Sequence, residues 1–287
     1  MPGMPWMSGR RRIAFHACWV DPAYDVPRGA SGFIEFCGDQ LKYRHIGPQP
    51  GDAPTLVMLY EGLGAADLWA DLPMRLQAGT GYGVFAYSRR GYGGSSPRPL
   101  LWPFAYMHEE AQDVLPKVLD TIGFQRGALI GASDGATIAT IYGGGARDPR
   151  VRSITLIAPH FIVEDATAAG AGAAKIAYEQ GDLRPKLGRY HKHVDVSFYG
   201  WNACWRNLAF KREWDITEYL PRLTVPLQIL QGENDEYATP EQVRIGERLS
   251  GGPVEAMLMP GIGHSIFREA PELTAGKIVD FVQRSIG

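Results

Sequence analysis

Short, almost entirely apolar runs recur along this chain and alternate with segments of helical spacing. Two of the clearest runs cover residues 55–60 and 83–88. A near-continuous apolar run of this length is typical of a strand that is buried on both faces, as strands are in a parallel sheet. Because such runs alternate with helical segments, the sequence predicts an α/β fold in which helices cover both faces of a mostly parallel sheet.

The same patterns predict how the chain is organised. Residues 32–47 predict a β-hairpin, because alternating runs flank the turn-forming pair Gly38-Asp39. The alternation of strands and helices stops near Phe161, and residues 161–221 contain no apolar strand-like run. The predicted organisation is an N-terminal extension (1–31), a core (32–160 and 222–287) and a mostly helical insertion (161–221). The remaining strands are predicted over 127–130, 151–157, 226–232 and 254–259, and helices over 67–77, 105–121, 136–143, 240–249 and 271–284.

Composition excludes several classes of protein. The 287 residues carry a formal net charge of −2, which disfavours a non-specific nucleic-acid binder. No apolar run approaches the roughly 20 residues that span a bilayer. The three cysteines are too few and too widely spaced for a disulfide framework or a metal site, and the basic triplet at 10–12 precedes only a short, interrupted apolar stretch. We therefore expect a cytoplasmic protein without a membrane partner.

One motif carries chemistry. Gly131-x-Ser133-x-Gly135 lies directly between a predicted strand and a predicted helix. A sharp strand-to-helix turn needs small flanking residues because its backbone is crowded, and it presents the serine hydroxyl above the sheet at a helix N-terminus. The context predicts a nucleophilic Ser133 rather than a simple turn.

A serine hydroxyl needs a base, and the base needs an acid that orients it. In chains with this sharp strand-to-helix turn, called the nucleophile elbow, the catalytic residues follow one another in the order serine, acid, histidine. His264 follows the last predicted strand in a flexible loop, and Asp235 follows the strand before it. Glu233 and Glu236 are competing acids, but the Gly232 turn favours Asp235.

A catalytic serine also needs two N–H donors for the oxyanion. The first is the amide of the residue after the nucleophile, Asp134, and the second comes from the loop after the third strand. Leu63, in the run Glu61-Gly62-Leu63-Gly64, is the candidate for the second donor. The alternative interpretation of this run is a simple glycine-rich turn.

Together these residues resemble the α/β-hydrolase superfamily, over about residues 32–284. The resemblance rests on the run at 61–64, the loop Ser88-Arg89-Arg90-Gly91-Tyr92-Gly93-Gly94-Ser95, the elbow, Asp235 and His264. It implies an eight-stranded, mostly parallel sheet, no cofactor, no metal, and a lid formed by residues 161–221 after the sixth strand.

Two positions depart from the usual pattern of that superfamily. The loop after the third strand starts Glu61-Gly62 where His-Gly is usual, and Asp134 follows the nucleophile where an apolar residue is frequent. The elbow is similar to that of valacyclovirase-like amino acid ester hydrolases, in which this acid binds the α-ammonium group of the substrate. Asp134, together with Glu61, is therefore a candidate for selecting neutral or cationic substrates. The alternative is that Asp134 only satisfies a local hydrogen bond.

The predicted lid is rich in aromatic residues. Trp201 and Trp205 are candidates for lining a substrate pocket, although such residues more often form the core of the lid itself. His191 and His193 have a spacing that could suit a metal, but no third ligand is evident nearby. We expect both histidines in a solvated lid loop.

The leading functional hypothesis is a serine hydrolase that cleaves an ester or related acyl bond of a small molecule. A carbon–carbon bond hydrolase of the same superfamily is the alternative enzyme, and the acidic residues near the elbow disfavour its usual acidic substrates. A haloperoxidase-like side activity would use the same triad. A non-catalytic small-molecule receptor on this scaffold is the alternative from another class.

Overall fold

The computed structural model describes residues 30–36 and 38–286. Within them, one sheet of eight strands runs in the order β1-β2-β4-β3-β5-β6-β7-β8. The strands β1 and β2 are antiparallel to their neighbours, and all other pairs are parallel. The strands are β1 (Ser31–Phe36), β2 (Asp39–Ile46), β3 (Thr55–Leu59), β4 (Gly83–Tyr87), β5 (Gly127–Ala132), β6 (Val151–Ile157), β7 (Leu227–Gly232) and β8 (Val254–Met259). The predicted α/β class and mostly parallel sheet are confirmed.

The central strands are apolar because both of their faces are covered. Every residue of β3, β4, β5 and β7 is buried. One hydrophobic cluster lies on each side of the sheet. The helices are α1 (Leu72–Thr80), α2 (Tyr106–Glu109), α3 (Leu115–Thr121), α4 (Asp134–Ala146), α5 (Asp165–Gln180), α6 (Leu183–Leu187), α7 (Val194–Trp205), α8 (Leu208–Glu213), α9 (Glu241–Leu249), α10 (Ile266–Glu269) and α11 (Pro271–Ile286).

Residues 161–221, the inserted segment, contain helices α5 to α8 between strands β6 and β7. Its aromatic side chains join the hydrophobic cluster that also contains α3 and α4. Trp205, for example, is 2% exposed and packs edge-to-face on Phe210 at a centroid distance of 5.3 Å. The segment therefore shares a core with the sheet domain.

Two predicted helices are shorter or less regular than the sequence indicated. The helix predicted over 67–77 is a short 3₁₀ turn, Ala66–Leu68, followed by α1. The helix predicted over 105–121 is interrupted by a π-helical turn, Glu110–Val114, directly before α3. Pro116 explains the interruption, because proline has no N–H to donate and its ring collides with the carbonyl group one turn earlier.

The predicted hairpin is present as β1 and β2. Nearly all of the predicted N-terminal extension (1–31) lies outside the described residues, which begin at Ala30.

Candidate active site

Ser133 lies on a strained turn between β5 and α4. Its φ and ψ are 50° and −114°, a combination that non-glycine residues rarely adopt. A Cβ at position 131 would lie 2.3 Å from the Gly135 carbonyl oxygen, and one at position 135 would lie 1.9 Å from the Leu59 carbonyl oxygen. Neither approach leaves room for a side chain, so both glycines are needed for the turn. Strain of this kind costs about 1–3 kcal/mol and is typical of functional sites.

Asp235 and His264 meet because they follow neighbouring strands. Parallel β7 and β8 end at the same edge of the sheet, and their following loops carry the two residues. His264 Nδ1 is 2.8 Å from Asp235 Oδ1. The same oxygen accepts hydrogen bonds from the backbone N–H groups of Tyr237 and Ala238. The carboxylate is thus held in one orientation, and Nε2 of the imidazole is left for another partner.

The charges of this pair stabilise each other. Burial by itself would lower the pKa of His264. The hydrogen bond to Asp235 and the negative charges of Asp235, Glu61 and Glu236 outweigh burial and raise this pKa above its ordinary value. Burial would raise the pKa of Asp235, but the hydrogen bond and charge of His264 bring it below its ordinary value. Asp235 is therefore ionised at neutral pH, and His264 is a stronger base than a free imidazole.

A cavity of about 290 Å³ is lined by several of the predicted site residues. Ser133, His264 and Leu63 contribute to its wall from the sheet domain, and Trp201 and Trp205 contribute from the inserted segment. The two tryptophans are 7% and 2% exposed, so they both line the cavity and pack in the core. Its other lining residues are Tyr60, Glu61, Gly62, Leu68, His160, Thr167, Ala174, Leu183, Leu187, Glu236, Tyr237, Ser265 and Arg268.

The run predicted to supply an oxyanion donor forms a tight turn. The N–H of Gly64 donates to the carbonyl of Glu61 at 3.3 Å, and the third residue, Leu63, has a φ of 62°. Turns that need a positive φ at their third residue usually have glycine at that position. A Cβ on Gly62 would lie 2.2 Å from Trp201 Nε1, so the inserted segment packs directly on the turn.

The Asp134 carboxylate lies within the protein and is not among the groups that line the cavity. It is 0% exposed and accepts a hydrogen bond from the Tyr106 hydroxyl at 2.7 Å. Arg89 Nη2 lies 3.4 Å from the same oxygen and also donates to the carbonyl of Glu61 at 3.0 Å. Trp205 Nε1 in turn donates to the Tyr106 hydroxyl at 3.0 Å. Of the two interpretations of Asp134, this arrangement favours the local hydrogen bond.

We expect Asp134→Asn to destabilise the fold by about 3–5 kcal/mol, because it breaks the buried ion pair between Asp134 and Arg89. Urea unfolding measures the change. Asp120→Asn is the matched control, because Asp120 pairs with Arg150 at the surface and exposed pairs contribute about 0–1 kcal/mol. The activity of Asp134→Asn on aminoacyl esters should fall by the same factor as its activity on neutral esters. A selective loss on aminoacyl esters would instead establish the ammonium-binding role.

Two histidines in or near the site were not identified from the sequence as part of it. His160 lines the cavity, and its ring centroid is 5.7 Å from that of His264. Burial and the charge of His264 lower the pKa of His160 to about 3, so its ring is neutral. His191 is 4% exposed, so the prediction of a solvated loop was wrong for this residue. The ring is buried because it contacts two loops of the sheet domain that are distant in sequence.

Nothing in the described part of the chain groups three metal-ligating side chains. Across residues 30–36 and 38–286, no helix has both the length and the hydropathy required to cross a bilayer.

Comparison with known proteins gives consistent findings. A model of the alpha/beta hydrolase family matches residues 62–277. A bifunctional esterase/perhydrolase of Acinetobacter calcoaceticus is 26% identical over 230 residues, covering 69% of this chain and 80% of that protein.

Among solved structures, an esterase from Exiguobacterium antarcticum has a TM-score of 0.70 at 21% identity, covering 88% of this chain and all of the other. A bacterial membrane phospholipase A has a TM-score of 0.73 at 21% identity, covering 89% of this chain and 86% of the other. At such identities the structures support the fold, and the family match extends over most of the chain. The protein is therefore a hydrolase that belongs to the alpha/beta hydrolase family.

Proposed function

We propose that this protein is a serine esterase that acts on small neutral or cationic esters through an acyl-enzyme. The observation that supports it most is that Ser133, on a strained turn, shares one cavity with His264, whose Nδ1 is hydrogen-bonded to Asp235. The A. calcoaceticus relative is named as an esterase, which agrees with this chemistry.

In the proposed reaction, Ser133 Oγ attacks the ester carbonyl carbon while His264 Nε2 takes the hydroxyl proton. The C=O electron pair moves to the oxygen and forms a tetrahedral oxyanion. Collapse of this intermediate breaks the bond to the alcohol, which receives the proton from His264. Water then attacks the acyl-enzyme with the same base and releases the acid. Asp235 fixes the ring and stabilises the imidazolium that forms.

The oxyanion is assigned to the N–H groups of Leu63 and Asp134. Asp134 is the first residue of α4, so its amide is unused within the helix and lies at the positive end of the helix dipole. Leu63 lies in the wall of the same cavity. Removing one such donor typically lowers kcat by about 10²–10³.

The acidic side chains in the cavity wall favour substrates that are not anions, and Arg268 is a cation in the same wall. Glu61 and Glu236 both line the cavity. Burial raises the pKa of Glu61, and the charges of His264 and Arg268 act against that effect. The Glu236 carboxylate accepts a hydrogen bond from the His264 backbone N–H. A substrate carboxylate beside the Glu236 carboxylate would be repelled, which disfavours the acidic substrates of carbon–carbon bond hydrolases. Glu61 contributes less to this repulsion, because burial raises its pKa.

A second activity is compatible with the same intermediate. Hydrogen peroxide in place of water would convert the acyl-enzyme to a peracid, with His264 accepting the peroxide proton. The A. calcoaceticus relative is named as a perhydrolase as well as an esterase, which favours testing this acceptor.

A panel of p-nitrophenyl and aminoacyl esters, run with an anionic hemisuccinate ester, tests the proposal. We expect turnover of the neutral and cationic members and poor turnover of the anionic one. Ser133 Oγ should displace fluoride from the phosphorus of a fluorophosphonate, which inactivates the enzyme and leaves the phosphonyl group on the peptide that contains Ser133. Labelling elsewhere with full loss of activity would exclude Ser133 as the nucleophile. Binding of esters without any release of product would contradict a serine esterase and support a receptor.

A further inference from the structure

His191 connects the inserted segment to two loops of the sheet domain. Its Nδ1 accepts a hydrogen bond from the N–H of Gly93 at 2.9 Å. Its Nε2 lies 2.8 Å from the carbonyl oxygen of Leu63. Because Nδ1 accepts, Nε2 must carry the proton, and the ring is the neutral Nε2–H tautomer. Burial lowers the pKa of His191, which keeps the ring neutral.

Leu63 needs such a contact because its backbone conformation is unfavourable. A leucine at a φ of 62° is strained, and strain of this kind persists only where the surroundings hold it. Arg89 holds the turn on one side by donating to the carbonyl of Glu61 at 3.0 Å. His191 holds the other side by donating to the carbonyl of Leu63 itself. The peptide that carries the Leu63 N–H lies between these two contacts.

The backbone beside His191 is also fixed. The N–H of Lys192 donates to the carbonyl of Gly93 at 2.9 Å, and the hydroxyl of Ser197 donates to the carbonyl of Gly91 at 2.6 Å. The inserted segment is thus anchored to the loop after β4, and the imidazole reaches from that anchor to the turn at 61–64. Its position depends on the docking of the segment.

We propose that His191 is a positioning residue that keeps the Leu63 N–H directed at the oxyanion and couples the oxyanion hole to docking of the inserted segment. This inference rests on the proposed esterase function. His191 is not among the residues that line the cavity, so it acts through Leu63 and not on substrate. Without its hydrogen bond, Leu63 can relax to negative φ, which turns its N–H away from the site.

Two substitutions separate the hydrogen bonds from the packing. His191→Phe keeps a ring beside Tyr92, whose centroid is 6.0 Å away, but can neither donate nor accept. His191→Gln keeps an amide that can donate to Leu63. His193→Phe is the matched control, since His193 is half-buried in the same segment and its side chain makes no capping hydrogen bond to α7.

We expect His191→Phe to lower kcat for p-nitrophenyl acetate by about 10- to 100-fold, with KM little changed, because a small misplacement of a catalytic group has effects of this size. His191→Gln should recover a substantial part of the loss, and His193→Phe should behave as wild type. Thermal unfolding measures whether each variant is folded. If His191→Phe is not folded, the test is the comparison of His191→Gln with wild type.

The inhibition constant of trifluoroacetone gives a measurement that a change in the stability of the inserted segment would not shift by itself. The Ser133 oxygen adds to its carbonyl carbon, the C=O electron pair becomes an oxyanion, and the serine proton passes to His264. Trifluoroisopropanol has a similar shape but cannot form an oxyanion. In His191→Phe, the inhibition constant of the ketone should rise by about the factor lost in kcat, and that of the alcohol should stay the same.

Equal weakening of ketone and alcohol, or a His191→Phe variant with wild-type kcat, would overturn the positioning role. The esterase proposal is tested separately by fluorophosphonate labelling of Ser133 in the wild-type protein. If wild type is labelled and active while His191→Phe is unimpaired, only the role of His191 fails. If wild type is not labelled at Ser133, the esterase proposal fails first.

Discussion

Ser133→Ala is expected to lower kcat/KM for an activated ester such as p-nitrophenyl acetate by about 10⁴- to 10⁶-fold. The variant lacks the proposed nucleophile and therefore cannot form the proposed acyl-enzyme. Alanine at the same positive φ is strained to a similar degree as serine, so the turn and the fold should be retained. Stopped-flow assays measure the rate, and urea unfolding measures the stability.

Ser265→Ala is the matched control, because Ser265 contributes to the wall of the same cavity from the start of α10. It should keep most of the activity. Wild-type activity in Ser133→Ala would exclude Ser133 as the nucleophile.

Asp235→Asn is expected to lower kcat by about 10⁴-fold, because the amide no longer imposes the His264 tautomer in which Nε2 is free to accept a proton. The pH profile should change as well. The proposed mechanism needs neutral His264, and the pKa of this residue is raised, so wild-type activity should fall as the pH drops through a value above the ordinary 6.5. Without the carboxylate charge, this acid limb should move to lower pH.

Glu233→Gln is the control for this prediction, since Glu233 is exposed and was one of the competing acids in the sequence. It should leave both rate and pH profile unchanged. A full loss of activity in Glu233→Gln together with a mild effect in Asp235→Asn would move the acid role from Asp235 to Glu233.

Local patterns were enough for the sheet and for the elbow. The apolar runs predicted β3, β4, β5 and β7 because strands buried on both faces have few polar residues. The spacing of Gly131, Ser133 and Gly135 indicated the turn because the backbones at 59, 131 and 135 leave no room for a Cβ. The interruption before α3 was missed, although Pro116 was visible in the sequence.

The surroundings of the site depend on contacts between distant parts of the chain. The sequence placed Asp134 beside the nucleophile, but its carboxylate is buried because Arg89 and Tyr106, 45 and 28 residues away, reach it. His191 was expected in solvent and is buried because it contacts Leu63, 128 residues earlier.

The sequence by itself determined the parallel sheet and the sharp turn at Ser133, and it predicted that Asp235 and His264 pair, because each depends on short spacing or on strand order. Only the tertiary structure decided what Asp134, His160 and His191 contact. Those contacts join parts of the chain that are distant in sequence, and a side chain's partner at such a distance leaves no periodic signal along the chain.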